Sequence, residues 1–332
     1  MNSKLLFAYS LTTGLLTLPL VIQAAELDTN NAGKNTYNYD FSRLTIPDNA
    51  GQASWFDDMD RLYRLNLIDA SSVGHVTMTV SGTQVGTAPD GATVYATSNP
   101  GIGVAYQLNY STQYLTSPES DNTAPYEIVF DSNPATGYIH VKYTVVRLTE
   151  HVPAGQITTA PQVTLFYKNI PATSNAPDIS FLALSGTVSG QPQIKACNID
   201  APTEIKLPTI YGTDLVNGAV KPTDAPTIQL KNCPGAVNGI TYDFSAVYGT
   251  KDAANGVLKT VEGEGYAKGV YIQIQNDDGS AYKVNNVIPL AGYDGSGDYS
   301  LPDFKVAYYI PDENNVSAGN VKTAIELKVA YN

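Results

Sequence analysis

The chain closes with the stretch GNVKTAIELKVAYN, Gly319 to Asn332, and this stretch decides the fold. Apolar and polar residues alternate along it, as they do in a strand whose side chains point to opposite faces in turn. One face carries Val321, Thr323, Ile325, Leu327, Val329 and Tyr331. Chain ends fray unless a neighbouring element holds them. The stretch therefore predicts a half-buried strand that joins a sheet.

The rest of the chain predicts strands as well. Twenty-three tyrosines, 27 glycines and 20 prolines are typical of short strands joined by turns. Alternation recurs within residues 76–80, 102–110, 139–145 and 271–274, and turn clusters such as Pro89-Asp90-Gly91 separate the strands. One stretch, Phe56 to Leu67, fits a helix or a strand. We predict an all-β chain of two β-sandwich domains.

The first residues predict export. Lys4, an apolar run and the small residues Ala24 and Ala25 describe a secretory signal, and a retained membrane anchor is the alternative. Cleavage after Ala24 or Ala25 is expected. A net charge of −12 makes the chain a poor candidate for binding nucleic acid.

The chain has two cysteines, Cys197 and Cys233. In an exported protein the simplest expectation is one disulfide, because the compartment is oxidising. A metal site is disfavoured, since no CxxC pair occurs and no histidine adjoins either cysteine. The stretch Gly186 to Gln193 is poor in large apolar residues and precedes the first cysteine. It suggests a signal peptide at 1–24, one domain at 25–190 and a second at 191–332.

The second domain resembles the pilin domain of chaperone–usher fimbriae, and specifically that of type 1-like tip adhesins. The features that carry this resemblance follow one another over about 140 residues, and the ordered set is specific. They are Cys197, Ile205-Lys-Leu-Pro208, Cys233, the hairpin from Gly269 through Gly279, Ala318-Gly319-Asn320-Val321 and the penultimate Tyr331.

The resemblance implies an immunoglobulin-like sandwich that lacks its last strand. A periplasmic chaperone first fills the open groove and the next pilus subunit later fills it with an N-terminal strand, which is β-augmentation. The outer-membrane usher is a further implied partner. The implied partner-binding strand comprises Gly319, Val321, Thr323, Ile325, Leu327, Val329, Tyr331 and Asn332, whose carboxylate the chaperone would grip.

The position of Cys197 implies a place at the fimbrium tip. Shaft subunits carry a short donor strand just before the first cysteine, whereas here a whole domain and a linker with Gly190 and Pro192 stand there. We therefore expect a surface adhesin with an N-terminal lectin-like domain that binds a host glycan or glycoprotein. A structural or initiating tip subunit, and a secreted carbohydrate-active enzyme, are the alternatives.

Two groups of residues are candidates for ligand binding. Trp55 lies beside Asp57, Asp58 and Asp60, and sugars are often held by an aromatic ring and carboxylates. Asn99 opens a glycine-rich loop that would bring backbone donors close to a ligand. The alternatives are a packed tryptophan with solvated aspartates, and a simple turn before a strand.

Other chemistry is not expected from the motifs. The three histidines, His75, His140 and His151, have no metal-site spacing, and we predict neither a metal nor a cofactor. No GxSxG elbow or P-loop occurs, and both cysteines are assigned to the disulfide, so we predict no enzyme. A glycosidase would need only two acids that can lie far apart in sequence.

Overall fold

The computed structural model describes residues 25–53, 60–69, 73–111, 123–130, 136–174 and 176–332. Within these ranges every regular element is a strand except one short 3-10 helix, Gly212–Asp214. The predicted all-β class is therefore confirmed. In the same ranges no helix is long and apolar enough to cross a membrane.

Eleven strands make up the N-terminal body and form two sheets. The first sheet has the order β1-β3-β9-β7-β6-β5 and the second β2-β11-β10-β4-β8. All pairings are antiparallel except β11 with β2. The strands are β1 Ala25–Leu27, β2 Tyr37–Asp40, β3 Asp60–Asp69, β4 Val73–Ser81, β5 Gln84–Thr87, β6 Thr93–Ala96, β7 Ile102–Ser111, β8 Glu127–Phe130, β9 Thr136–Arg147, β10 Gln162–Ile170 and β11 Ile179–Gly190.

The core of the N-terminal body lies between these two sheets. Alternate residues of β7 and β9 enter it, including Val104, Leu108 and Val141, as the period of a strand requires. Tyrosines fill much of the space, and some of their hydroxyls find partners inside: the hydroxyls of Tyr39 and Tyr106 are hydrogen-bonded at 2.7 Å. Burial raises the pKa of both phenols well above the usual value. The core is thus a packed layer of rings that stay neutral.

Eleven further strands form the C-terminal body, in three sheets of order β12-β14-β20, β13-β21-β18-β17-β16 and β19-β15-β22. They share a second core cluster. Cys197 and Cys233 form the predicted disulfide, with an S–S distance of 2.09 Å. The strands are β12 Asn198–Asp200, β13 Gly218–Asp224, β14 Gln229–Cys233, β15 Ile240–Ala246, β16 Thr250–Asp252, β17 Val257–Leu258, β18 Tyr271–Asn276, β19 Ile288–Pro289, β20 Gly297–Ser300, β21 Phe304–Ile310 and β22 Ile325–Tyr331.

Two sequence predictions need adjustment. The ambiguous stretch is a strand from Asp60 onward, and its earlier part lies outside the described residues. The terminal strand begins at Ile325 instead of Gly319. The chain at Gly319 passes so close to another backbone that a Cβ there would lie 2.4 Å from the nitrogen of Ala267. Residues 319–324 therefore pass close to the loop that contains Ala267, and only residues 325–331 form a ladder with β15.

The segment between the two bodies is also more ordered than its glycine and proline suggested. β11 continues to Gly190, which pairs with Asp40, so the first half of the predicted boundary stretch is strand. Beyond it, the backbone N–H of Gln193 donates to the Leu44 carbonyl at 2.7 Å, and Lys195 forms an ion pair with Asp48. The linker is thereby bound to the N-terminal body along most of its length.

A loop of the N-terminal body, residues 150–156, contacts the C-terminal body and is called the clasp loop below. Four backbone hydrogen bonds cross this contact: Ala154 N to Asp294 O (2.7 Å), Gly155 N to Val237 O (2.8 Å), Ser296 N to Val152 O (2.8 Å) and Ala236 N to Pro153 O (2.9 Å). Ala236 is buried within the N-terminal core cluster. The two bodies are therefore joined by a second contact besides the linker.

Candidate functional site

The terminal strand β22 is the edge of its sheet. Among the described residues it pairs only with β15, in the antiparallel register Ile240↔Tyr331 to Ala246↔Ile325. Burial alternates strictly along it: Ile325, Leu327, Val329 and Tyr331 are partly buried against the second core, whereas the residues between them are exposed. An edge strand presents unpaired backbone groups in a row. Here that row adjoins apolar side chains that are only partly covered.

The segment 201–210 carries further partly covered apolar side chains over the same core. It follows β12 and contains no strand of its own. Ile205, Leu207 and Ile210 are partly buried and pack against the same core cluster as β22. Within the described residues, no backbone hydrogen bond joins 201–210 to a strand. The core of the C-terminal body is thus incompletely covered at these two places.

The last two residues are held at one end of β22. The hydroxyl of Tyr331 accepts a hydrogen bond from the Cys197 amide at 2.6 Å, beside the disulfide. The backbone oxygen of Asn332 accepts one from the backbone N–H of Asn238 at 2.6 Å. Sequence reasoning placed Tyr331 and Asn332 on the strand but did not find these partners, because both contacts are long-range. They fix the end of the strand without closing its free edge.

The strand-lining residues predicted from the sequence divide into two groups. Ile325, Leu327, Val329 and Tyr331 share one face of β22, as predicted. Gly319, Val321 and Thr323 precede the strand, although Val321 still packs against the second core. The hydroxyl of Thr323 donates to the Lys259 carbonyl at 2.7 Å. The ladder is therefore shorter than the alternating sequence.

The predicted ligand-binding cluster lies mostly beyond what the structure describes. Trp55, Asp57 and Asp58 are outside the described residues, and of Asp60 the backbone alone is described, as the first residue of β3. Its backbone pairs with that of Lys142 on β9. The role of Trp55, Asp57, Asp58 and Asp60 in ligand binding stays a prediction.

Asn99 is placed in the N-terminal body with its side chain buried at 2% exposure. Its Nδ2 donates to the carbonyls of Pro153 (3.0 Å) and Gly155 (2.7 Å), and its Oδ1 accepts from the Gly101 amide (2.9 Å). These bonds use the amide group to hold the clasp loop. The ligand-binding role of Asn99 stays a prediction.

The described residues contain no cluster of three or more histidine, cysteine or acidic side chains that could hold a metal ion. Of the histidines, His75 contacts Glu127, His140 contacts Ser111 and His151 contacts the Ser296 carbonyl. Each therefore has a partner other than a second histidine.

Comparison with known families identifies the C-terminal part. Residues 182–332 match the model of the family described as fimbrial protein. The match starts within β11 and includes all of β12 to β22. This match supports the resemblance of the C-terminal part of the chain to the subunits of chaperone–usher fimbriae. Among curated protein sequences no relative matches the chain.

Solved structures of pilus proteins are similar to the chain at low identity. The CupB6 tip adhesin from Pseudomonas aeruginosa is 18% identical, with a TM-score of 0.41, over 92% of this chain and 95% of that one. The CsuE tip subunit of Acinetobacter baumannii, solved with the chaperone CsuC, is 13% identical, with a TM-score of 0.33, over 90% and 97%. The P pilus rod subunit PapA is 17% identical, with a TM-score of 0.32, over 42% and 100%.

Proposed function

We propose that this chain is the tip adhesin of a chaperone–usher fimbrium. In this proposal residues 1–24 are a signal peptide, residues 25–190 bind a host surface receptor, in the first instance a glycan, and residues 191–332 are the pilin domain. The chain passes through the periplasm and the outer-membrane usher to the cell surface. The observation that carries the proposal is the half-covered edge strand β22 in a fimbrial protein domain.

The edge strand supports completion by a strand from another protein. Each partly buried apolar side chain on β22 would gain on the order of 1 kcal/mol on full burial, a fraction of the roughly 1.5–3 kcal/mol for a wholly exposed one. Each new backbone hydrogen bond would add about 1 kcal/mol. A donated strand with apolar residues at alternate positions satisfies both needs at once. The chaperone and the next subunit are the proposed donors.

The linker supports a terminal position in the pilus. A subunit inside the shaft must donate a segment of its own, which in the related pilins precedes the first cysteine. Here the corresponding segment is bound to the N-terminal body through Gln193 and Lys195. Releasing it would break these contacts. We therefore propose that this chain accepts a strand and donates none.

The receptor-binding role of the N-terminal body is supported by architecture. A body with its own core of buried tyrosines and aliphatic residues precedes the C-terminal body, whose core is a separate cluster. An exported module at a pilus tip is placed to contact surfaces. A structural tip subunit without a receptor is the outcome that a binding experiment must separate from this one.

The experiment has two parts. The mature chain, produced with and without its chaperone, is tested for recovery and oligomeric state, and the chaperone-bound chain is screened against glycans, matrix proteins and host cells. The proposal predicts recovery that depends on the chaperone and binding to at least one receptor. A free chain that is monomeric and resistant to denaturant would contradict the open groove. Recovery with the chaperone but no binding would identify a structural subunit.

A further inference from the structure

We propose that hydroxyls of one sugar ring of the receptor bind Asp90 and Gln107, on the face of the first sheet that points away from the core. This inference rests on the proposed function, because it names where the N-terminal body would hold its receptor. It differs from the cluster around Trp55, and it depends only on described residues.

The outward face of β7 and β9 carries a row of buried polar side chains. Gln107 pairs in register with Lys142, and Asn109 with His140, so these side chains share the face opposite the apolar core. Outward faces of sheets usually carry polar groups that water solvates, and a polar group removed from water needs another partner. The row comprises Gln107, Asn109, Ser111, His140, Lys142 and Thr144.

Gln107 is the member of this row with an unused group. It is 4% exposed, and its Nε2 donates to a carboxylate oxygen of Asp90 at 3.4 Å. Its Oε1 is buried and has no hydrogen-bond partner among the described residues. Rotating the amide by half a turn would set Oε1 against the Asp90 carboxylate, which accepts hydrogen bonds but cannot donate one. The acceptor is therefore left for a group that the described residues do not supply.

Asp90 makes this position reachable from the surface. It lies in an exposed turn, whose shape is fixed by hydrogen bonds from the Ala88 amide to the Ala92 carbonyl (2.8 Å) and from Gly91 to Ala88 (2.9 Å). Its Oδ1 accepts from the Ala92 amide at 3.1 Å. The contact of its other oxygen with Gln107 is long, and a stronger donor can displace it. The carboxylate thus stands at the surface end of the polar row.

The chemistry of the pair favours a neutral sugar. A carboxylate that accepts, beside an amide that both donates and accepts, complements two neighbouring hydroxyls, since each hydroxyl can do both. A phosphate or carboxylate ligand would be repelled by Asp90. Within the part of the chain that the structure describes, a metal ion would find one carboxylate in this pair, and it would need more oxygen ligands than the pair offers.

The test uses the full mature chain in its chaperone complex. Binding to immobilised galactose, mannose, fucose and N-acetylglucosamine is measured, together with adhesion to host cells. Gln107→Leu keeps the approximate volume and removes the amide. Gln275→Leu is the matched control, because Gln275 is also a buried strand glutamine but lies in the C-terminal body. We expect about tenfold weaker binding for Gln107→Leu, with an unchanged or raised melting temperature.

The outcomes separate this inference from the proposed function. Weaker binding by Gln107→Leu alone supports the site. Binding that both variants retain shows that Gln107 holds only a buried water, and the site is then wrong although the adhesin stands. If the unaltered chain binds neither sugar nor cell, both the site and the receptor-binding function fail. If Gln107→Leu does not fold, Asp90→Asn at the exposed turn gives the same comparison, with Asp278→Asn in another exposed turn as its control.

Discussion

Replacing Leu327 by alanine tests how far the edge strand depends on a partner. Leu327 pairs in register with Phe244 and is partly buried against the second core. Truncating a fully buried leucine to alanine lowers the free energy of unfolding by about 2–5 kcal/mol. In the free chain we expect the substitution to lower the free energy of unfolding by roughly 1.5 kcal/mol, because the side chain is only partly covered. With a strand in the groove the side chain is enclosed, and we expect about 3 kcal/mol.

The difference between these two values, about 1.5 kcal/mol, corresponds to roughly tenfold weaker capture by the chaperone. Capture is measured by competition binding, and stability by urea unfolding of the free and chaperone-bound chains. Lys328→Ala is the control, since Lys328 is the next residue of the same strand but points to solvent. We expect it to change stability by at most about 0.5 kcal/mol. Equal capture of the two variants would refute the open-groove reasoning.

Three other predictions concern the rest of the molecule. Replacing Cys197 by alanine removes a link across 36 positions and should lower the unfolding free energy of the C-terminal body by about 4 kcal/mol, which denaturation with and without reductant measures. Gly235→Ala should loosen the contact between the bodies, because a Cβ there would lie 2.0 Å from the Val152 carbonyl oxygen, whereas Gly239→Ala meets no atom within 4 Å; small-angle scattering compares the two. At high pH the unfolded chain loses phenolic protons near its usual tyrosine pKa of about 10, while buried Tyr39 keeps its proton because its pKa is raised. The contribution of Tyr39 to stability should therefore be fully present below about pH 10 and be lost above it, and the phenolate absorbance of the buried tyrosines should rise only as the N-terminal body unfolds.

The strands with clear alternation could be predicted from the sequence because their pattern is local. Residues 102–110 and 139–145 lie within β7 and β9, and the terminal ladder appears as β22. The disulfide followed from having two cysteines in an exported chain. The start of β22 at Ile325 could not be predicted, because the alternating sequence is interrupted where Gly319 approaches the backbone of Ala267, a residue distant in sequence.

The contacts between the bodies could not be predicted at all. The clasp loop carries no periodicity, and its partners, Ala236, Val237, Asp294 and Ser296, are distant from it in sequence. The same is true of Asn99, whose glycine-rich surroundings suggested a ligand loop, whereas its amide holds the clasp loop. Gln107 also gave no local signal, since its unused acceptor becomes evident only when the register of β7 with β9 is known.

Hydrogen exchange along β22 tests the central claim most directly. Amides of residues 325–331 that point to β15 should be protected in the free chain, whereas the alternate amides on the free edge should exchange rapidly. Addition of the chaperone should protect this second set, because a donated strand supplies its acceptors. If both sets are already protected in a monomeric free chain, and the chaperone changes neither, the C-terminal body is complete and the account is wrong.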